Sequence, residues 1–196
     1  NDATYAVYVR TIQGITFVNE YLRQTAPEKL AERGVSDELA AKIEGFRAEA
    51  RFLRAYFYWM AMDTFGDVPF TTEKDVLEMD FRPKQKSRAD IFTYVIGELE
   101  ALLGENSAMP NVRSNYPRAD KGAVLGLLAR VYLNAEVYTG TPAWEECKSA
   151  CERIYALGKY TLATNYASLF RGDNGENPGA YNEFLFSAYY DQTSAQ

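Results

Sequence analysis

One run in the first third of the chain, residues 44–69, limits the fold more than any other stretch. Phe46, Ala50, Leu53, Phe57 and Ala61 recur at helical spacing and predict a core-facing stripe. Between Phe52 and Met62 the only charged residue is Arg54, and apolar or aromatic groups point in every direction. A helix that is apolar all round is one that other elements enclose. Arg47, Arg51 and Arg54 form a second stripe beside Tyr58. An unpaired buried charge is costly, so these arginines are expected to meet carboxylates, with Glu98 and Asp90 as candidates. Anion binding by this stripe together with Arg130 is the weaker reading. Gly66 suits the left-handed residue that closes a helix, and Pro69 prevents its return.

The remaining periodicity is also helical. Residues 2–25 read as a helix whose stripe is Tyr8, Ile12, Ile15, Asn19 and Leu22. Asn19 thus falls among apolar neighbours, where a polar group needs partners and would tie two helices together. Residues 26–35 read as a connector with Pro27 and Gly34, and Ser36 as the N-cap of the central helix. Residues 70–86 read as a long surface connection. Ser87 and Asp90 form a shortened capping box for a helix with the stripe Ile91, Val95, Leu99 and Leu102. Residues 104–118 form a loop. Residues 120–137 read as one apolar helix, with Ala119, Gly122, Gly126, Ala129 and Leu133 giving another helix close approach. Thr141 and Pro142 predict a cap with proline at the first helical position. Cys147, Cys151 and Ile154 supply that helix's stripe, and Gly158 ends it. Tyr160, Leu162, Tyr166, Leu169 and Phe170 read as apolar anchors in an irregular stretch. Residues 183–187 read as a short strand. The fold class is mainly α, a tetratricopeptide-like array of helical hairpins with little strand, in one domain over residues 1–196.

Composition removes several functions. The chain has 196 residues and a net charge of −6, with no basic cluster, which excludes nucleic acid and adhesion to anionic lipid. It contains no histidine, so Ser-His-Asp and Cys-His chemistry and the commonest metal ligand are absent. Cys147 and Cys151 share a helix face but lack further ligands for zinc, and read as small buried hydrophobes. Glu145 and Glu146 are adjacent on a helix and do not face each other. Asp173-Asn174-Gly175-Glu176-Asn177 does not match calcium-loop spacing and reads as a turn. No catalytic residue, metal or cofactor is expected.

Certain motifs carry a family resemblance. Ala48-Glu49-Ala50-Arg51-Phe52-Leu53-Arg54-Ala55, an aromatic-rich helix, and Phe65-Gly66-Asp67-Val68-Pro69-Phe70 resemble the signature of the SusD/RagB family. Leu127-Leu128-Ala129-Arg130-Val131-Tyr132-Leu133, Lys159-Tyr160-Thr161-Leu162, Leu169-Phe170 and Asn182-Glu183-Phe184-Leu185-Phe186 are similar in order and spacing, although isoleucines are more usual at 184 and 185. Asn19 also matches the family pattern. The resemblance implies a non-catalytic outer-membrane lipoprotein that binds glycan at the cell surface and delivers it to a SusC-like TonB-dependent transporter. It also implies a signal and a lipid-bearing cysteine upstream, so the chain is read as an internal fragment. Membrane attachment would then run only through that anchor. The rival reading is a helical-repeat adaptor that binds protein and no glycan.

Sugar recognition needs exposed aromatic faces beside amide and carboxylate groups, because a ring covers the apolar face of a pyranose while polar groups orient its hydroxyls. The densest such set off the helices is Tyr189, Tyr190, Asp191 and Gln192. Tyr181, next to Asn182, and Trp144 at a helix start are further candidates.

Overall fold

The computed structural model describes residues 2–75, 78, 80–111 and 117–188. Helix α1 (Asp2–Gln24) and the short α2 (Pro27–Glu32) precede α3 (Asp37–Phe65). Then follow α4 (Arg88–Leu103), α5 (Lys121–Leu133), α6 (Ala135–Thr139), α7 (Trp144–Leu157), a 3-10 turn over Tyr166–Phe170, and α8 (Pro178–Tyr181). Between α3 and α4, β1 (Val68–Pro69) pairs antiparallel with β2 (Gln85–Lys86), Val68 opposite Lys86. Each long helix packs on the next: α1 on α3, α3 on α4, α4 on α5 and α5 on α7. The chain is therefore mainly α, an array of helical hairpins with little strand.

Helix ends form where the sequence supplies caps. Ser36 accepts the Leu39 amide, and Ser87 exchanges two hydrogen bonds with Asp90, at 3.1 Å from the Asp90 amide and 2.7 Å to its carboxylate. Gly66 closes α3 at φ +79°, a backbone state that an L side chain resists, and its amide reaches the Met62 carbonyl at 3.1 Å.

The core follows α3. Phe52, Ala55, Tyr58 and Met62 are buried against Ile91, Val95 and Leu99 of α4 and Val124, Leu128 and Val131 of α5. Arg54 lies within this packing at 3% exposure. It donates to Asn19 of α1 at 2.9 Å, to Glu98 of α4 at 3.0 Å, and to Glu73 of the connection. Arg51 holds the other Glu98 oxygen at 3.0 Å. Asn19 continues outward, donating to the Thr71 carbonyl at 3.1 Å. Tyr58 clamps the same residue, donating to the Thr71 carbonyl at 2.6 Å and accepting its amide at 2.8 Å. Arg47 pairs with Glu44 of its own helix at 3.1 Å and serves the open end of α1, donating to the Leu22 carbonyl at 2.7 Å. Of the two candidates, Glu98 is thus the partner of Arg51 and Arg54, whereas Asp90 is occupied as a cap.

The structure corrects several local readings. Phe46 is 45% exposed, because the enclosed part of α3 begins only at Ala48; its ring lies beneath the Arg118 guanidinium at 4.7 Å. Residues 26–35 contain α2, started by Pro27 at the first helical position. The helix expected over 120–137 breaks at Asn134, whose side chain donates to the Arg130 carbonyl at 3.1 Å and competes with the helical ladder. Helix α7 starts at Trp144, after Pro142, with no side-chain cap. Residues 183–187 form no strand: the Glu183 and Phe184 amides bond back to Ala180 and Tyr181 in turns. Their apolar run places Phe186 against Phe52, with ring centroids 5.1 Å apart.

Burial alone would raise the Glu98 carboxyl, but Arg51 and Arg54 outweigh it and hold it below its ordinary 4.5. Burial and Arg54 oppose each other at Glu73 in the same way, and Arg54 again prevails. Two predictions result. Glu98→Ala leaves buried guanidinium charge uncompensated and lowers unfolding free energy by about 3–5 kcal/mol in denaturant titrations. Because both carboxyls are depressed by folding, their stabilisation is complete above about pH 4.5 and disappears as pH falls through the folded values. Denaturation midpoints therefore fall below pH 4.5, less steeply in Glu98→Gln.

Candidate functional site

The exposed aromatic surface gathers at the end of α7 and in the irregular segment beyond it. Tyr155 occupies the last turn of α7 and is 84% exposed. After Gly158 the chain runs extended and is pinned at three points. Tyr160 donates to Asp120 at 2.5 Å, the Thr161 amide donates to Asn182 at 3.2 Å, and the Ala163 amide donates to Glu183 at 2.7 Å. The first pin needs Gly122, since a Cβ there would lie 2.2 Å from the Tyr160 hydroxyl oxygen. Gly126 likewise receives Leu185, so the small-residue face of α5 admits these loop side chains as well as α7, where the Cys147 thiol donates to the Ala129 carbonyl at 3.3 Å.

Held this way, Tyr155, Tyr160, Thr161, Leu162 and Glu183 border a cavity of about 280 Å³ with Cys151, Ile154 and Leu185 at its base. Its walls combine ring faces, a hydroxyl and a carboxylate. Farther along, Asn165 caps the 3-10 turn by accepting the Ala167 amide at 3.1 Å. That turn displays Tyr166 and Phe170, edge to face at 5.1 Å and both more than 70% exposed. Leu162, Tyr166 and Phe170 are therefore surface groups and not the anchors expected; the buried member of the turn is Ser168.

The sequence-predicted residues divide. Trp144 is 51% exposed but begins α7, roughly 17 Å along the helix from Tyr155 at 1.5 Å per residue. It does not border the cavity. Tyr181 ends α8 half-buried, and the neighbouring Glu183 belongs to the cavity wall. Tyr189, Tyr190, Asp191 and Gln192 lie outside the described residues. Sequence reasoning missed Tyr155, although it shares the polar face of α7 with Lys148 and Glu152, a position that signals an outward ring.

Other recesses carry different chemistry. A cavity of about 420 Å³ lies beside α1, lined by Phe17, Asn19, Glu20, Arg23, Tyr58 and Thr71 among others. Asn19, Tyr58 and Thr71 are committed to one another, and Arg23 pairs with Glu20 while donating to the Glu73 carbonyl at 3.2 Å. Glu73 and Glu98, held ionised by arginine, are unsuited to deliver a proton at neutral pH. Among the described residues no group of three or more His, Cys, Asp or Glu is placed to hold a metal. Cys147 and Cys151 are both free and half-buried. No helix among these residues is long and apolar enough to cross a membrane.

Comparison with known proteins places this architecture. Residues 1–133 match the model of the SusD-like family described as starch-binding and associating with the outer membrane. Over 182 residues the chain is 37% identical to the starch-binding protein SusD of Bacteroides thetaiotaomicron, covering 91% of this chain and 29% of that protein. A crystal structure with a xylogluco-oligosaccharide matches at a TM-score of 0.75 and 22% identity, over 95% of this chain and 35% of that one. A SusD-like protein of Bacteroides fragilis matches at a TM-score of 0.71 and 20% identity, over 95% and 34% of the two chains. The chain belongs to the SusD-like family. It spans about 29% of the length of the B. thetaiotaomicron relative.

The Gly122 contact gives a direct test. Gly122→Ala expels the Tyr160 ring and costs about 1–3 kcal/mol. Limited proteolysis then cuts within residues 159–165 faster than in the parent protein, whereas α3 keeps its amide protection in hydrogen exchange.

Proposed function

We propose that this chain is part of a non-catalytic glycan-binding protein of the bacterial outer membrane, held at the cell surface by a lipid anchor. It captures oligosaccharide and passes it to a SusC-like TonB-dependent transporter. Family membership supports the glycan, as do the relatives' own descriptions: SusD is a starch-binding protein, and another structural neighbour is a laminarin-binding SusD-like protein. The observation that carries the reading in this chain is the Tyr155 recess. There a ring exposed over most of its surface stands beside Thr161 and Glu183 on a frame fixed by part-buried hydrogen bonds. Such a surface recognises without reacting: the rings cover the apolar face of a pyranose, and the carboxylate accepts from its hydroxyls. Tyr181, Trp144 and Tyr189, Tyr190, Asp191 and Gln192 remain candidate contacts beyond this recess.

Exposed aliphatic groups, Leu162 at 84% and Val137 at 68%, favour the adaptor reading, in which the partner is protein alone. Calorimetry on the full-length protein with starch, xyloglucan and laminarin oligosaccharides separates the two. One of these glycans is expected to bind, with no reducing ends released. Tyr155→Ala weakens that binding by roughly threefold to tenfold, as expected for about 0.5–1.5 kcal/mol per lost ring contact. Retention of the transporter with no glycan bound would establish the adaptor instead.

A further inference from the structure

A second recess opens where α3, α5 and the segment after α8 meet, and its chemistry differs from that of the Tyr155 surface. Phe52 and Tyr56 of α3, with Leu127, Leu185 and Phe186, wall a space of about 190 Å³. The rings support one another: Phe186 lies 5.1 Å from Phe52 and 5.8 Å from Tyr56 between centroids. Arg130 of α5 stands at the edge, exposed, its guanidinium 5.6 Å from the centroid of Trp59. Arg51, Arg54 and Arg118 each meet a carboxylate, whereas Arg130 has none within 4.0 Å among the described residues. The aromatic ring beneath fixes its plane and leaves its outer donors available.

This recess is a poor fit to a neutral sugar. Apart from Arg130 its side chains are aromatic and aliphatic, and a ring bearing hydroxyls but no charge would leave that guanidinium unanswered. It suits a compact apolar group attached directly to an anion. The volume accommodates one leucine or phenylalanine side chain, and a planar guanidinium binds a carboxylate in a two-pronged manner. The terminal residue of a polypeptide presents both features one bond from the same Cα. We propose that this recess captures the free C-terminus of a partner polypeptide ending in an apolar residue. The apolar side chain enters between Tyr56 and Phe186, and the α-carboxylate pairs with Arg130.

The test uses the full-length protein and a dansylated tetrapeptide, Gly-Ser-Gly-Phe, by fluorescence anisotropy. The free acid is expected to bind. The C-terminal amide and the peptide ending in Ser are expected to bind at least tenfold more weakly. Arg130→Gln, a surface change that leaves the melting temperature in place, lowers free-acid affinity to the amide level and leaves the amide unchanged. Arg130→Lys restores part of the loss, because charge remains without the fork. Equal binding of acid and amide, or indifference to Arg130→Gln, overturns the proposal. So does binding of a glucuronate oligosaccharide that displaces the peptide at lower concentration, which would assign the recess to acidic glycan.

Discussion

Arg54 is a guanidinium with almost no contact with water, and such a group is tolerated only when its charge is answered on the spot, here through both terminal nitrogens. The answers come from three different parts of the chain: Asn19 on α1, Glu98 on α4 and Glu73 on the connection between β1 and β2. One side chain of α3 therefore fixes the positions of both flanking helices and of the loop that passes over them. Hydrophobic packing around Phe52, Met62 and Leu99 provides the larger attraction, but apolar contacts are non-directional. The ion network is directional, and it admits one register of α1 and α4 against α3. Replacing it wholesale with hydrocarbon would cost little stability, whereas removing one member costs much.

That rigidity bears on function. Glu98 and Glu73 are committed to arginines and held ionised, which unsuits them to deliver a proton, and among the described residues no group of three or more His, Cys, Asp or Glu is placed to hold a metal. Chemistry is left to the periphery, where aromatic rings stand on segments pinned from below. Tyr160 anchored to Asp120 positions the wall beside Tyr155, and Gly122 makes room for the anchor. Phe186 packed on Phe52 positions the recess edged by Arg130. Both surfaces are built by the irregular stretches after α7 and α8, laid against α5 with α7 in one case and with α3 in the other. They differ in charge: one combines rings with a hydroxyl and a carboxylate, the other combines rings and aliphatic groups with a cation.

How far each feature was legible depends on the range of the interaction that makes it. Helix ends at Ser36, Gly66, Ser87 and Gly158 are decided by groups within four residues, and these were readable. The pairing of the arginine stripe with Glu98 was legible because burial of a cation demands a carboxylate and few were placed to provide one. The break at Asn134 was hidden by the strongly apolar run on its N-terminal side. Residues 183–187 carry the short apolar run of a strand but have no partner strand among the described residues; the run supplies side chains that fill space between α3 and α5. Leu162, Tyr166 and Phe170 look like anchors by composition, yet the turn that Asn165 starts points them outward.

From its residues alone, the chain settled that α3 would be enclosed, that its arginines would need acidic partners, and that histidine-dependent chemistry was absent. These are consequences of local periodicity and of the cost of burying charge. Only the tertiary structure decided which aromatic rings reach solvent. A tyrosine has no intrinsic preference between core and surface strong enough to read in sequence. Its exposure depends on whether a segment distant along the chain covers it, as Phe186 covers Phe52 and nothing among the described residues covers Tyr155 to the same degree.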